Sequence, residues 1–326
     1  MGCSLPAREE GWGGGYVNLS AKTLITGIIA AMAQQNGQSS QRLREALRFE
    51  EQLRADAQFL EENPDMKVRL RLMCLYGRAN SRGTVLYLNW SRAADYLLEI
   101  CTEAIKLRGV CNLALSGGKT PEALYRTLAR RSILQPTVAW QRIHLFWSDE
   151  RYVPHDDPRS NFALAYNTWL REAPIPRENL HPMPTHYADP EDAARAYEAE
   201  LRAHFGDADE YPMFDIVLLG MGEDGHIASL FPGDPALEAT ERWVVPSRAP
   251  VEPRQRLTLT LPVLQANHLW FLVAGESKAP LIERLFAGTI DPTLPVAMLG
   301  EELTWLWWLS EELFARAFPH TRLWWR

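Results

Sequence analysis

The stretch Phe214-Asp215-Ile216-Val217-Leu218-Leu219-Gly220-Met221-Gly222-Glu223-Asp224-Gly225-His226-Ile227-Ala228-Ser229-Leu230-Phe231-Pro232-Gly233 decides the fold. Ile216 to Leu219 is an unbroken apolar run, as expected of a parallel strand covered on both faces. In open α/β sheets ligands bind beyond the carboxyl ends of such strands, so His226 is expected at that rim. Gly220, Gly222 and Gly225 allow the backbone to approach closely and to present N–H groups to an anion or a polarised carbonyl. A single histidine is more often solvated or packed in a core. What raises this one is Asp224 two residues before it, together with two polar clusters upstream that need a common destination.

Working outward, the chain from Thr84 alternates as βαβ units do. Thr84 to Leu88 suits a strand, Ala93 to Lys106 a helix and Cys111 to Leu115 a strand. Pro121 to Arg130 suits a helix, Ile143 to Trp147 a strand, and Asn161 to Arg171 and Glu191 to His204 helices leading to the Phe214 strand. Leu257 to Thr260, Trp270 to Ala274, a helix from Lys278 to Phe286 and the apolar segment Leu303 to Leu309 follow. The expected fold is α/β, a doubly wound, mostly parallel, Rossmann-like sheet over residues 83–326. Residues 1–82 read as an N-terminal extension: a Gly-rich start, a polar break at Gln34 to Gln41, then a charged, loosely amphipathic helical segment from Arg42 to Glu62.

Two further strand ends carry polar clusters. In Leu113-Ala114-Leu115-Ser116-Gly117-Gly118-Lys119-Thr120-Pro121-Glu122 a strand passes through a glycine turn into a helix. Thr120 suits the N-cap, Pro121 the first helical position and Glu122 the positive end of the helix dipole. Free N–H groups at a helix start bind phosphate, and Lys119 adds a full charge. The spacing is neither that of a P-loop nor of a dinucleotide fingerprint, which favours a small phosphorylated substrate over a nucleotide. Trp147-Ser148-Asp149-Glu150-Arg151-Tyr152-Val153-Pro154 follows the Ile143 strand, with Asp157, Ser160 and Asn161 beyond it, and reads as a loop that brings Asp149 and Arg151 to the rim of His226. Arg256 and Lys278 stand at the ends of later elements.

Composition limits the partners. The net charge of −7 over 326 residues argues against non-specific nucleic-acid binding, so an anionic substrate needs a local cluster of cations. Lys119, Arg151, Arg256 and Lys278 are the candidates. Cys3, Cys74, Cys101 and Cys111 show neither CxxC nor metal-ligand spacing, which points to a reducing cytoplasm and to no disulfide framework or zinc site. The apolar run Thr23 to Ala33 is too short to span a bilayer and lies too far from the start for a signal peptide. Met1-Gly2-Cys3-Ser4-Leu5-Pro6 lacks the Ser or Thr of a myristoylation signal. The twelve tryptophans are read as core.

SGGKTP, WSDERYVPHDDPRSN, FDIVLLGMGEDGHIASLFPG, PRQRLTLT and GESKA, in this order, resemble the lactonase branch of the glucosamine-6-phosphate isomerase/6-phosphogluconolactonase family over about residues 83 to 315. The resemblance implies the glucosamine-6-phosphate deaminase fold and hydrolysis of 6-phospho-D-glucono-1,5-lactone to 6-phosphogluconate without metal or cofactor. His226 is then the general base, with Asp149 or Asp224 orienting it or the water, and Gly117, Gly118, Lys119, Thr120, Arg151, Arg256 and Lys278 hold the phosphate. The expected partner is a small phosphorylated sugar lactone, bound by a monomer or weak homodimer, with no nucleic acid and no membrane. A deaminase of the same fold and a non-catalytic sugar-phosphate sensor are the rivals. The deaminase pattern has Ala-Phe-Asn-Glu where this chain has Ala228-Ser229-Leu230-Phe231, and residues 1–82 offer no DNA-reading domain.

Because every motif begins after Thr84, deleting residues 1–82 is expected to leave a soluble, active catalytic domain. Loss of soluble or active protein on truncation, followed by circular dichroism and turnover, would make the extension integral to it.

Overall fold

A computed structural model describes residues 84–87, 89–134, 138–206, 211–299 and 305–318. They belong to one compact unit, Tyr76–Arg326. The expected N-terminal extension and its helical segment lie outside the described residues.

In chain order the elements are β1 (Thr84–Tyr87), α1 (Trp90–Arg108), β2 (Cys111–Leu115), α2 (Lys119–Leu134), β3 (Ile143–Trp147), β4 (Asp149–Arg151), α3 (Asn161–Ala165), β5 (Leu180–His181) and α4 (Pro190–Phe205). Then come β6 (Phe214–Leu219), β7 (Val244–Arg248), β8 (Gln255–Leu259), β9 (Ala266–Val273), α5 (Ala279–Phe286), α6 (Pro295–Met298), β10 (Leu306–Leu309) and α7 (Glu311–Ala317). Seven strands form one sheet in the order β1-β10-β9-β6-β2-β3-β5, and every pairing in it is parallel. After β2 the chain builds toward β3 and β5; after β6 it builds the other way, toward β9 and β10. The winding reverses between β2 and β6, and a crevice opens beyond the carboxyl ends of two such strands.

Burial explains the strand pattern. All six residues of β6 are buried, as the apolar run requires of a central strand. Its one charged member, Asp215, is 2% exposed and accepts from the backbone N–H of Asn112, at 2.8 Å, and from the guanidinium of Arg108. One carboxylate thus ties β6 to the start of β2 and the end of α1. Helix α1 is bounded by Asn89, whose side chain accepts from Arg92 N–H, and by Gly109 at φ 83°, and it buries Ala94, Leu97, Leu98, Cys101 and Ala104 at helical spacing. Most of the described tryptophans are core as expected, Trp90 being half-buried: Trp140, Trp147, Trp270, Trp305 and Trp307 are among the largest fully buried side chains, and Trp307 stacks on Phe271 at 3.8 Å between ring centroids.

Some expectations need correction. Leu257 to Thr260 does not join the parallel sheet; β8 lies in a separate antiparallel sheet of order β4-β8-β7. Asp149-Glu150-Arg151, read as loop, is strand β4 of that sheet, paired with Thr258, Leu257 and Arg256. Ser148 makes the transition: its N–H and its hydroxyl both reach Leu115 O, at 2.8 and 2.9 Å, while its carbonyl accepts from Leu259 N–H at 2.9 Å. The chain passes from one sheet to the other within a single fully buried residue. Helix α2 starts at Lys119 rather than after a Thr120 cap. Gly118, at φ +100°, turns the chain, and its carbonyl accepts the first helical bond, from Glu122 N–H at 3.2 Å. Pro121 still falls in the first turn, where a missing N–H costs nothing. The helix expected over Asn161 to Arg171 is α3 followed by a π turn, Tyr166–Leu170.

The pair that ties β6 to α1 is unequal in exposure, 49% for the Arg108 side chain and 3% for Asp215. Arg108→Ala strands a buried carboxylate and is expected to cost about 3 kcal/mol or more. Asp215→Asn leaves a guanidinium free to hydrate and should cost about 1 kcal/mol. Denaturant titration of both variants and of the double variant checks the order; equal costs would mean that Arg108 does not compensate Asp215.

Candidate active site

A cleft of about 360 Å³ opens beyond the carboxyl ends of β2 and β6, and His226, Asp149, Arg151, Lys278 and the Gly117–Thr120 turn are on its wall. Three strand ends that are far apart in sequence therefore do meet, as the clusters required. Of the residues singled out from sequence, Asp224 and Arg256 stand one step behind the wall, Asp224 on His226 and Arg256 across from Arg151.

His226 is held from both sides. Its Nδ1 lies 2.6 Å from Asp224 Oδ1, which also accepts from His226 N–H at 3.1 Å. Gly222 N–H donates to His226 O at 2.9 Å, and the imidazole packs against Phe231 at 4.7 Å. With Nδ1–H given to a carboxylate, the lone pair is left on Nε2. Gly222 is required here by space: a Cβ would sit 2.0 Å from His226 Nδ1 and 2.4 Å from Asp224 Oδ1. Between the two candidate aspartates, the geometry pairs Asp224 with the imidazole.

Asp149 is engaged elsewhere. It is 6% exposed and accepts from the Ser229 hydroxyl at 2.6 Å and from Asn161 Nδ2 at 3.2 Å. Ser229 belongs to the turn after His226, closed by Leu230 N–H to Ile227 O at 2.9 Å. Within it Ala228 adopts φ +47°, a left-handed conformation that costs an L-residue roughly 1–2 kcal/mol. The turn is held there by three ties to the second sheet: the Ser229 hydroxyl to Asp149 on β4, Ser229 N–H to Thr258 on β8 at 3.3 Å, and the Ser247 hydroxyl on β7 to Ser229 O at 2.6 Å.

The phosphate-turn candidate is equally well placed. Tyr125 donates its hydroxyl to Ser116 O at 2.6 Å and accepts from Ser116 N–H at 3.0 Å, and burial pushes its phenol well above the usual range. The Asn161 amide lies against Gly117, where a Cβ would come within 1.8 Å of its Oδ1. The N–H groups of Lys119 and Thr120, in the first turn of α2, have no helical acceptor.

Around this turn stand cations that form no ion pair. Among the described residues no ion pair includes Lys119, Arg151, Arg256 or Lys278. Arg151 and Arg256 are directly opposed in the β4–β8 register, a like-charge pairing that is destabilising by itself. Arg256 is 6% exposed with Nε buried and unpartnered. Burial first, and then Arg151, hold its guanidinium below the usual range, and burial lowers Lys278 despite the opposing pull of Glu223. Cations held in this way fit an anion that enters from solvent.

Glu150, Ser229 and Asn161 were not picked out as site residues from sequence. Glu150 is fully buried and accepts from the backbone N–H groups of Arg151, Asn161 and Phe162 at 2.7, 2.7 and 2.8 Å and from the Ser160 hydroxyl at 3.0 Å. Burial pushes its carboxyl up to about 7, against the pull of those three N–H groups. It thereby seats the start of α3 and so Asn161. Reading residues 149–151 as a strand would have exposed it, since Asp149 and Arg151 then share one face and Glu150 the other.

The fold has counterparts among known proteins. The family described as glucosamine-6-phosphate isomerases/6-phosphogluconolactonase matches residues 89–308. A 6-phosphogluconolactonase of Synechocystis sp. is 44% identical over 214 residues, covering 65% of this chain and 86% of that protein. The solved 6-phosphogluconolactonase from Trypanosoma cruzi superposes with a TM-score of 0.64 at 26% identity, over 73% of this chain and 98% of the other. A monomeric glucosamine-6-phosphate deaminase shares the fold, with a TM-score of 0.58 at 24% identity over 71% of this chain and 99% of the other.

Gly222→Ala is expected to push the imidazole off Asp224 without unfolding the sheet. The histidine Nδ1–H resonance protected from solvent exchange by that bond should disappear from the NMR spectrum while circular dichroism stays unchanged. A retained resonance would mean that the turn relaxes around the methyl group.

Proposed function

The chain belongs to the glucosamine-6-phosphate isomerase/6-phosphogluconolactonase family, and from that premise we propose that its cleft hydrolyses 6-phospho-D-glucono-1,5-lactone to 6-phospho-D-gluconate in the oxidative pentose phosphate pathway. The observation that carries this reading is one oriented imidazole, His226 on Asp224, sharing a cleft with Arg151 and Lys278, which form no ion pair among the described residues.

Lactone hydrolysis needs a base for water, donors for the carbonyl oxygen as it becomes an anion, and a grip on the distant phosphate. In our assignment Nε2 of His226 takes a proton from water as the water oxygen bonds to the lactone carbon. Asp224 keeps the proton on Nδ1 and stabilises the imidazolium that forms. The tetrahedral intermediate collapses by breaking the bond to the ring oxygen, which receives the proton from the imidazolium; the ring opens and the acid ionises. Water is the only co-substrate, and no resident cofactor takes part. Asp149, fixed by Ser229 and Asn161, orients the water. The Gly117, Gly118, Lys119 and Thr120 turn, with Arg151 and Lys278, holds the phosphate through charge-assisted bonds, and Arg256 reinforces Arg151 from the facing strand.

Ala228-Ser229-Leu230-Phe231 and the relatives named as lactonases favour this reading over the deaminase. We assign the protein to a reducing cytoplasm, acting on a small molecule as a monomer or weak homodimer without nucleic acid. Buried free Cys101 and Cys111 support the compartment, and the acidic net charge speaks against nucleic acid. Among the described residues no helix is long and apolar enough to cross a membrane.

Freshly generated phospholactone should be consumed well above its spontaneous rate, and glucosamine 6-phosphate should not be turned over; the reverse result would make the protein a deaminase. His226→Ala is expected to lower kcat by roughly 10²–10⁴-fold with product affinity within a few-fold. Lys278→Ala should instead weaken 6-phosphogluconate binding by about 1.5–3 kcal/mol. Loss of product binding in His226→Ala with turnover intact would assign His226 to the phosphate and move the base to Asp149.

A further inference from the structure

At the opposite end of the sheet from the cleft, three histidines converge. His144 is the second residue of β3, His181 ends the two-residue edge strand β5, and His204 lies in the last turn of α4. One ring nitrogen from each lies within 4.8 Å of the other two. The active-site residues follow the carboxyl end of β3, whereas His144 precedes that end by three residues, about 10 Å along a strand. The cluster is therefore separate from the hydrolytic machinery.

We propose that His144, His181 and His204 form a binding site for a divalent transition metal, Zn²⁺ by its preference for imidazole in tetrahedral geometry, which clamps β5 and the end of α4 onto β3. The spacing carries the proposal. His144 Nδ1 and His181 Nε2 are 3.2 Å apart, and two nitrogens each about 2.0–2.1 Å from a tetrahedral ion stand roughly 3.3–3.4 Å from one another. That pair is already at chelating distance, and a small ring rotation brings in the third. The outer partners suit a metal as well. Glu200 Oε1 lies 2.8 Å from His181 Nδ1, the carboxylate–histidine arrangement that orients a ligand ring and leaves the lone pair on Nε2. Glu200 precedes His204 by one helical turn, so one stretch of α4 supplies a ligand and a partner for a second ligand. His204 Nε2 is in turn 2.9 Å from Asn112 Oδ1. Phe146 stacks on the His181 ring at 4.4 Å and 7°, which fixes its plane.

The His181 side chain is 12% exposed and its two partners are half-buried, so an ion can enter from solvent. The competing arrangement is a hydrogen-bonded ladder from Glu200 through His181 to His144, with His204 simply packed beside it.

Zn²⁺ and Co²⁺ titrated into the chelator-treated full chain distinguish the two. The proposal expects saturable uptake of about one ion per chain, a rise in Tm with Zn²⁺, and the strong visible absorption of tetrahedral Co²⁺ without a thiolate charge-transfer band. His204→Gln or His144→Gln should abolish uptake and the Tm rise, and His204→Gln should retain lactone hydrolysis. No saturable uptake by the parent, a thiolate band, the weak absorption of octahedral Co²⁺, or uptake undiminished in both variants would overturn it. The Co²⁺ spectrum is read on the parent protein, so this test stands even where a variant fails to fold.

Discussion

The parallel pairing of β2 with β6, Leu113 against Ile216 and Ala114 against Val217, is the constraint on which the rest of the molecule depends. These two strands mark the place where the winding of the sheet reverses, and their carboxyl ends release the Gly117 turn and the Gly222 turn side by side. Both are covered on both faces, so a shift of register would carry apolar side chains out of the core and polar turn residues into it. Asp215 adds a polar lock to that apolar pairing: buried in β6, it spans to Asn112 at the start of β2 and to Arg108 at the end of α1.

The second sheet gives the active-site residues their precision. A histidine on a glycine turn would wander, since glycine adds backbone freedom. Here the turn that follows His226 is tied to all three antiparallel strands through Ser229, and those ties offset the left-handed conformation of Ala228. Ser148, shared between the two sheets, transmits the position of one to the other. The buried Glu150 does the same for α3 and for Asn161 against Gly117.

Electrostatics explains how an acidic chain can take an acidic substrate. The net charge is −7, while the cleft concentrates Arg151 and Lys278 on its wall with Arg256 directly behind. Two guanidiniums opposed across adjacent strands are unfavourable until an anion arrives, and binding then relieves a repulsion as well as forming new bonds.

What the sequence determined by itself is what local rules encode. The apolar run of β6, the βα alternation, the glycine turns at 117–118 and 220–225 and the polar residues at three strand ends all follow from periodicity and turn chemistry within a dozen residues. They were enough to give the fold class and to bring His226, Asp149, Arg151 and the Gly117–Thr120 turn to one rim. Only the tertiary structure decided what depends on pairing between distant segments. It separated β8 from the parallel sheet, made a strand of residues 149–151, gave Asp224 to His226 and Asp149 to Ser229, and set Arg256 against Arg151. It also gathered His144, His181 and His204 from two strands and a helix. No spacing in the chain announces such a triad, because its members share neither a helical face nor a turn. Their proximity is a product of sheet order and of the angle at which α4 returns, and both are settled by the burial of the whole core.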